Sequence, residues 1–192
     1  MHGSGGTLNS QKESTMKNYR TLDSVALALV VAGYLVMPAA LKAAGTPDSA
    51  DITKLLADTK AVAVQLKTDS SQMESYTRSK LSWQSYAAKV ETIKGHINNA
   101  GQLVARLKDA ESTGSPWQQA TIKRIEPLIQ EMADNLTATI KHLNDNKNKV
   151  HFPEFTDYVK ANYALAVDTE ALLRASVDYG TDKAKFELLS SR

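Results

Sequence analysis

The stretch SPWQQATIKRIEPLIQEMADNLTATIKHL, residues 115–143, decides the fold class. Ser115 stands where an N-cap accepts a backbone N–H, and Pro116 supplies the fixed φ favoured at the first helical position. Gln118, three residues after the serine, completes a capping box. Behind this start, Ile122, Ile125, Ile129, Met132, Leu136, Ile140 and Leu143 recur at three- and four-residue steps. That is one face of an α-helix, not the alternation of a strand. Pro127 lies inside the segment and deletes the hydrogen bond to the carbonyl of Lys123, which predicts a kink. Asn144 to Lys149 ends the helix, and Val150-His151-Phe152-Pro153 turns the chain.

The same period extends outward. Residues 49–78 carry Ile52, Leu55, Leu56, Thr59, Val62, Leu66, Ser70, Met73 and Thr77 on one face. Residues 83–111 carry Tyr86, Val90, Ile93, Ile97, Ala100, Val104 and Leu107, with Ser82 as N-cap and Leu81 positioned to staple onto Tyr86. A break at Ser112-Thr-Gly-Ser-Pro116 separates this segment from the third. The fourth spans residues 154–189, with Tyr158, Leu165, Leu172 and Leu173 as its apolar positions and Gly180 as a late break. Each segment is about thirty residues, or roughly 45 Å of helix at 1.5 Å per residue. Each has one apolar stripe to bury, and the connections are short. The expected fold is all-α, an up-down-up-down four-helix bundle of long antiparallel helices over residues 48–190.

Upstream the sequence changes character. Residues 1–15 are polar and Gly/Ser-rich, an extension without periodicity. Residues 16–43 read as a secretory signal: Lys17 and Arg20, then the uncharged run from Val25 to Met37, then small residues from Pro38 to Ala44. Cleavage is expected near Ala43 or Ala44. The alternative is a retained inner-membrane anchor, because residues 25–41 are just long enough to span a bilayer. Export to the periplasm or beyond fits a chain with no cysteine, and that absence also excludes disulfide, thiolate-metal and iron–sulfur chemistry.

Four of the 23 Lys/Arg and two of the 21 Asp/Glu precede Ala44, so 19 of each remain after it. A formally neutral domain with interspersed signs lacks the electrostatic footprint of a nucleic-acid binder. The most basic run, residues 141–149, is Asn-rich and broken by Asp145. It reads as a solvated helix end.

From Tyr76 to Phe186, and most of all in Ser115-Pro-Trp-Gln-Gln119 and His151-Phe-Pro153, the chain resembles a group of uncharacterised exported bacterial helical proteins. The resemblance implies export and helicity, and it brings no activity, ligand or catalytic residue with it.

Bundles often house metals, but the Glu-x-x-His pairs of a di-iron site do not occur in this sequence. His96, His142 and His151 fall at different heights on the expected topology and do not converge as zinc ligands. One haem arrangement is conceivable, with Met73 and His142 as axial ligands at similar heights. The plainer assignment makes Met73 core and His142 a boundary residue. No Gly-x-Ser-x-Gly elbow is present, and Glu126, Glu131 and Asp134 read as a solvated face. No catalytic residue and no cofactor are assigned.

Two features rise above this background. Tyr76, Trp83, Tyr86, Phe152, Phe155 and Tyr158 map to the bundle end that carries the first and third connections. They form either a packed plug or a shallow patch for a protein partner or small apolar ligand. Asn162, Thr169 and Ser176 repeat every seven residues on the fourth segment, opposite Ser70 and Thr139. They either fix register or line a small polar cavity. The expected function is that of an exported, non-enzymatic binding protein, with a cofactor-carrying bundle as the alternative. A membrane role falls only to the N-terminal segment, and the oligomeric state is open.

Overall fold

The computed structural model describes residues 46–191 apart from 80, 149, 151 and 152. They form four α-helices: α1 (Ala50–Tyr76), α2 (Trp83–Ala110), α3 (Pro116–Asp145) and α4 (Pro153–Ser190). One 3-10 turn, Glu111–Thr113, follows α2, and no strand occurs among the described residues. The signal-like residues 16–43 and the extension 1–15 lie outside the described residues, as do His151 and Phe152. The arrangement is all-helical and bundle-like. α1 packs on α2 and α4, and α3 packs on the same two helices.

The large aliphatic residues dictate the first three helices. Every residue of the expected α1 stripe is buried except Thr77, and every residue of the α2 stripe is buried. In α3 the stripe is buried except Ile140, which sits at the flank while its neighbour Thr139 turns inward. The helix runs continuously through Pro127. Ser82 precedes α2 in an extended conformation but makes no capping bond, and its hydroxyl lies 3.3 Å from that of Ser85.

The fourth helix departs from expectation in part, since Leu173 and the polar Asn162, Thr169 and Ser176 are buried as expected but the other large apolar positions are not. Its buried seam is Phe155, Val159, Asn162, Ala166, Thr169, Glu170, Leu173, Ser176 and Gly180. Tyr158, Leu165 and Leu172 are only half-buried. Each stands one position before a seam residue, and one position is about 100° of helix rotation. The seam is set by small and polar residues, so bulk alone points to the wrong face.

Nor does Gly180 break the helix. It lies fully inside α4, buried, and a Cβ there would stand 2.8 Å from the Cη2 atom of Trp117. The missing side chain is what lets the indole lie against the helix. Trp117 is held in place by its Nε1, which donates to Asp48 Oδ1 at 2.7 Å, so it has little room to yield.

Gly180→Ala should therefore lower stability by about 1–3 kcal/mol, the usual cost of overpacking, although alanine is the better helix former. In a Trp117→Ala background the same substitution should become stabilising by up to about 1 kcal/mol. Urea unfolding of the four variants measures both numbers. Equal effects in the two backgrounds would show that the indole contact does not constrain position 180.

Candidate functional site

The aromatic residues do come together. At the junction of α1 and α2 the Tyr86 ring meets Tyr76 edge-on, with centroids 6.3 Å apart, and its other side meets Phe155 at 5.0 Å and 84°. The Tyr86 hydroxyl donates to the Tyr76 carbonyl at 2.8 Å, which ties the start of α2 to the end of α1. Burial raises the Tyr86 phenol above its ordinary pKa, so it stays a neutral donor. His142, from the last turn of α3, stacks on Phe155 at 6.1 Å and lies 5.4 Å from Tyr158.

Depth divides this group. Tyr86 and Phe155 are completely buried, whereas Tyr76, Trp83 and Tyr158 are half-buried. Lys147 Nζ sits 4.7 Å above the Trp83 ring, in the range of a cation–π contact. Tyr86 and Phe155 thus belong to the core, while Tyr76, Trp83 and Tyr158 keep part of their surface toward solvent. Phe152, the sixth member of the expected group, lies outside the described residues.

The expected polar layer is divided differently. Asn162 Nδ2 donates to Thr139 Oγ1 at 2.8 Å and to the Tyr158 carbonyl at 3.2 Å. Ser176 pairs instead with Thr121, 3.3 Å away, and Thr169 turns back onto the Leu165 carbonyl of its own helix. Ser70 Oγ and Asn162 Oδ1 are buried without a protein partner. The structure brings Asn162 and Thr139 together but does not join all five residues in one network.

Met73 is core, 1% exposed. His142 is half-buried, with its Nε2 enclosed and unpartnered. His96 Nε2 pairs with Asp69 at 3.0 Å, and Lys89 reaches the same carboxylate at 2.8 Å. Among the described residues no group of three His, Cys, Asp or Glu is placed to hold a metal ion, and no helix is long and apolar enough to cross a membrane.

Two charged clusters escaped the sequence reading. Glu170 lies on the α4 seam, 4% exposed, and receives Lys67 at 3.0 Å from α1 and the Arg174 Nε at 2.8 Å from one turn on. The i,i+4 spacing of Glu170 and Arg174 is visible in the sequence, but the inward placement follows only from the seam register. At the start of α1, Asp48 accepts from Trp117 and from Lys183 Nζ at 2.9 Å. Beside it the Gln118 amide is fully buried. Its Oε1 accepts from the backbone N–H groups of Ser49 and Ser115, and its Nε2 donates to the Ser49 carbonyl and Thr53 Oγ1. The capping-box glutamine therefore also joins α3 to α1.

The chain matches no protein-family model, no curated protein and no solved structure.

For both carboxylates burial favours the neutral acid, but the opposing hydrogen bonds and charges win. Asp48 is held below its usual range by Ser115, Lys183 and Trp117, and Glu170 by Arg174 and Lys67. A depressed folded-state pKa adds stability that is fully present above the unfolded value, near pH 4, and is lost as pH falls through the folded value. Melting temperature should accordingly drop as pH falls from about 5 toward 2. Asp48→Asn should cost about 1–2 kcal/mol at pH 7. Its gap from the parent protein should narrow as pH falls toward and through the depressed folded-state value of the parent carboxyl. A gap that is the same at pH 7 and pH 2 would refute the assignment.

Proposed function

We propose that this chain is an exported, non-enzymatic helical protein that acts by binding, through the half-buried aromatic surface of Trp83, Tyr76 and Tyr158. One observation carries the reading: Tyr76, Trp83 and Tyr158 are only half-buried, while Tyr86 and Phe155, whose rings meet at 5.0 Å, are completely buried. The outward faces of the first three are therefore not needed to close the core. Tyr and Trp supply rigid contact area with a polar tip at low entropic cost, which suits a small apolar ligand or a protein partner. Export rests on residues 16–43 of the sequence, and the periplasm or the exterior is the proposed compartment.

The helices are proposed to run up-down-up-down, each antiparallel to its sequence neighbour. In support, the end of α1 meets the start of α2 at Tyr76 and Tyr86, and the end of α3 meets the start of α4 at His142 and Phe155. At the other end, Ser49 meets Gln118 and Asp48 meets Lys183.

A cofactor-carrying protein is the second reading, and the unpartnered Nε2 of His142 is the observation in its favour. Against it stand the stacking of that ring on a fully buried Phe155 and the placement of Met73 in the core. A Soret band in protein isolated from its native compartment would decide for the second reading.

The apolar probe N-phenyl-1-naphthylamine tests the first. Its fluorescence should rise on binding the parent protein, and Trp83→Ala should abolish the rise while leaving helical circular dichroism and the unfolding midpoint nearly intact. Phe155→Ala should instead cost about 3–5 kcal/mol, the penalty of a core cavity. Unchanged probe binding by Trp83→Ala would sink the proposed surface. Export is tested separately by protease added to spheroplasts, which should digest the chain while it spares a cytoplasmic marker.

A further inference from the structure

One face of Trp83 is already in use. Lys147 Nζ stands 4.7 Å above that ring, close enough for the negative face of the indole to attract it. Its place follows from the end of α3. The Asn146 backbone N–H and Nδ2 both donate to the His142 carbonyl, at 3.0 Å and 3.1 Å, and Lys147 is the next residue. The lysine is exposed, whereas Trp83, the first residue of α2, is half-buried. The ammonium therefore lies on the solvent side of the ring.

What Lys147 lacks is an acid. Arg78 and Lys141, which flank the two connections at this end, are paired with Glu74 and Asp145 one turn away. Lys147 pairs with neither carboxylate, and Glu154 and Asp157 in the first turns of α4 are exposed and take no bond from it. Among the described residues its interaction is with the Trp83 ring alone. An aromatic face attracts an ammonium but leaves its charge and its N–H donors uncompensated. A neutral apolar ligand reaching this face has to move the ammonium aside and gains nothing from it. A ligand that also carries an anion turns the displaced ammonium into a partner.

We propose that the aromatic surface takes a small amphiphilic anion, with an apolar or aromatic body on Trp83 and a carboxylate or sulfonate head on Lys147. The proposal rests on the binding reading above and adds the charge of the ligand. Contacts of an exposed ammonium are modest, so the head should contribute about two- to five-fold in affinity, and more at low salt.

N-phenyl-1-naphthylamine and 8-anilinonaphthalene-1-sulfonate share one apolar frame and differ by the sulfonate, so fluorescence titration of the full chain with both isolates the head. The sulfonate probe should bind the parent about two- to five-fold more tightly than the amine, a preference that falls as salt is added. Lys147→Gln should abolish the preference and Lys147→Arg should keep it, both with nearly the parent's circular dichroism and unfolding midpoint. Laurate below its micellar concentration should displace the sulfonate probe. Trp83-dependent binding of the amine, with no preference in the parent or a preference that survives Lys147→Gln, overturns the anion site and leaves the aromatic surface standing. If neither probe binds, or Trp83→Ala leaves both unchanged, the surface and the anion site fall together. Displacement by phosphatidylglycerol vesicles but not by laurate would assign the face to a lipid surface, and would equally overturn the proposal.

Discussion

The buried amide of Gln118 is the interaction on which the rest of this arrangement leans. A primary amide taken out of water costs several kcal/mol unless its polar atoms are paired. Here both of its polar atoms are paired, with Ser115 in its own helix start and with Ser49 and Thr53 more than sixty residues away. The bond to Ser115 starts α3, and the bonds to Ser49 and Thr53 start α1 beside it. Trp117, the next residue along, extends the contact to Asp48 and to the bare backbone at Gly180 of α4. Three helices are fixed at one end by two consecutive side chains. Truncating Gln118 would strand buried backbone groups on two of those helices at once.

The legibility of the fold in the sequence followed side-chain bulk. α1, α2 and α3 bury Ile, Leu, Val and Met at helical spacing, and a large aliphatic residue has one low-energy place to go. α4 is different because its seam is Asn162, Ala166, Thr169, Ser176 and Gly180, residues that carry no strong transfer preference. The bulkier Tyr158, Leu165 and Leu172 next to them drew the expected stripe about 100° to one side. What places the seam is complementarity: Asn162 needs Thr139, Ser176 needs Thr121, and Gly180 needs the Trp117 ring. None of these partners is nearer than twenty residues in sequence. The heptad spacing of Asn162, Thr169 and Ser176 did mark the correct face, since period survives where bulk misleads.

The aromatic end was legible for another reason. Residues that flank the first and third connections meet through ring contacts from Tyr76 to Tyr86, from Tyr86 to Phe155 and from Phe155 to His142. Sequence could not rank them by depth. Tyr86 and Phe155 become core because they meet edge to face across the body, while Trp83 stays at the rim under Lys147. Glu170 was illegible for the opposite reason. A carboxylate is ordinarily assigned to the solvated face, and Arg174 one turn on together with Lys67 on a neighbouring helix makes its burial tolerable.

That burial bears on what the polar seam is for. Ion pairs withdrawn from water seldom stabilise a fold relative to a well-packed apolar replacement, although removing one partner is costly. The same holds for Asn162, whose Oδ1 remains unpaired after its amide nitrogen is satisfied. A leucine seam packs almost equally well one turn up or down. A small polar seam packs well in only one register, where Glu170 meets Lys67, Asn162 meets Thr139 and Ser176 meets Thr121. α4 is the longest of the four helices, 38 residues, and has the most alternative registers to exclude. The alignment in which these pairs form also places Phe155 against Tyr86 at one end and Gly180 against Trp117 at the other.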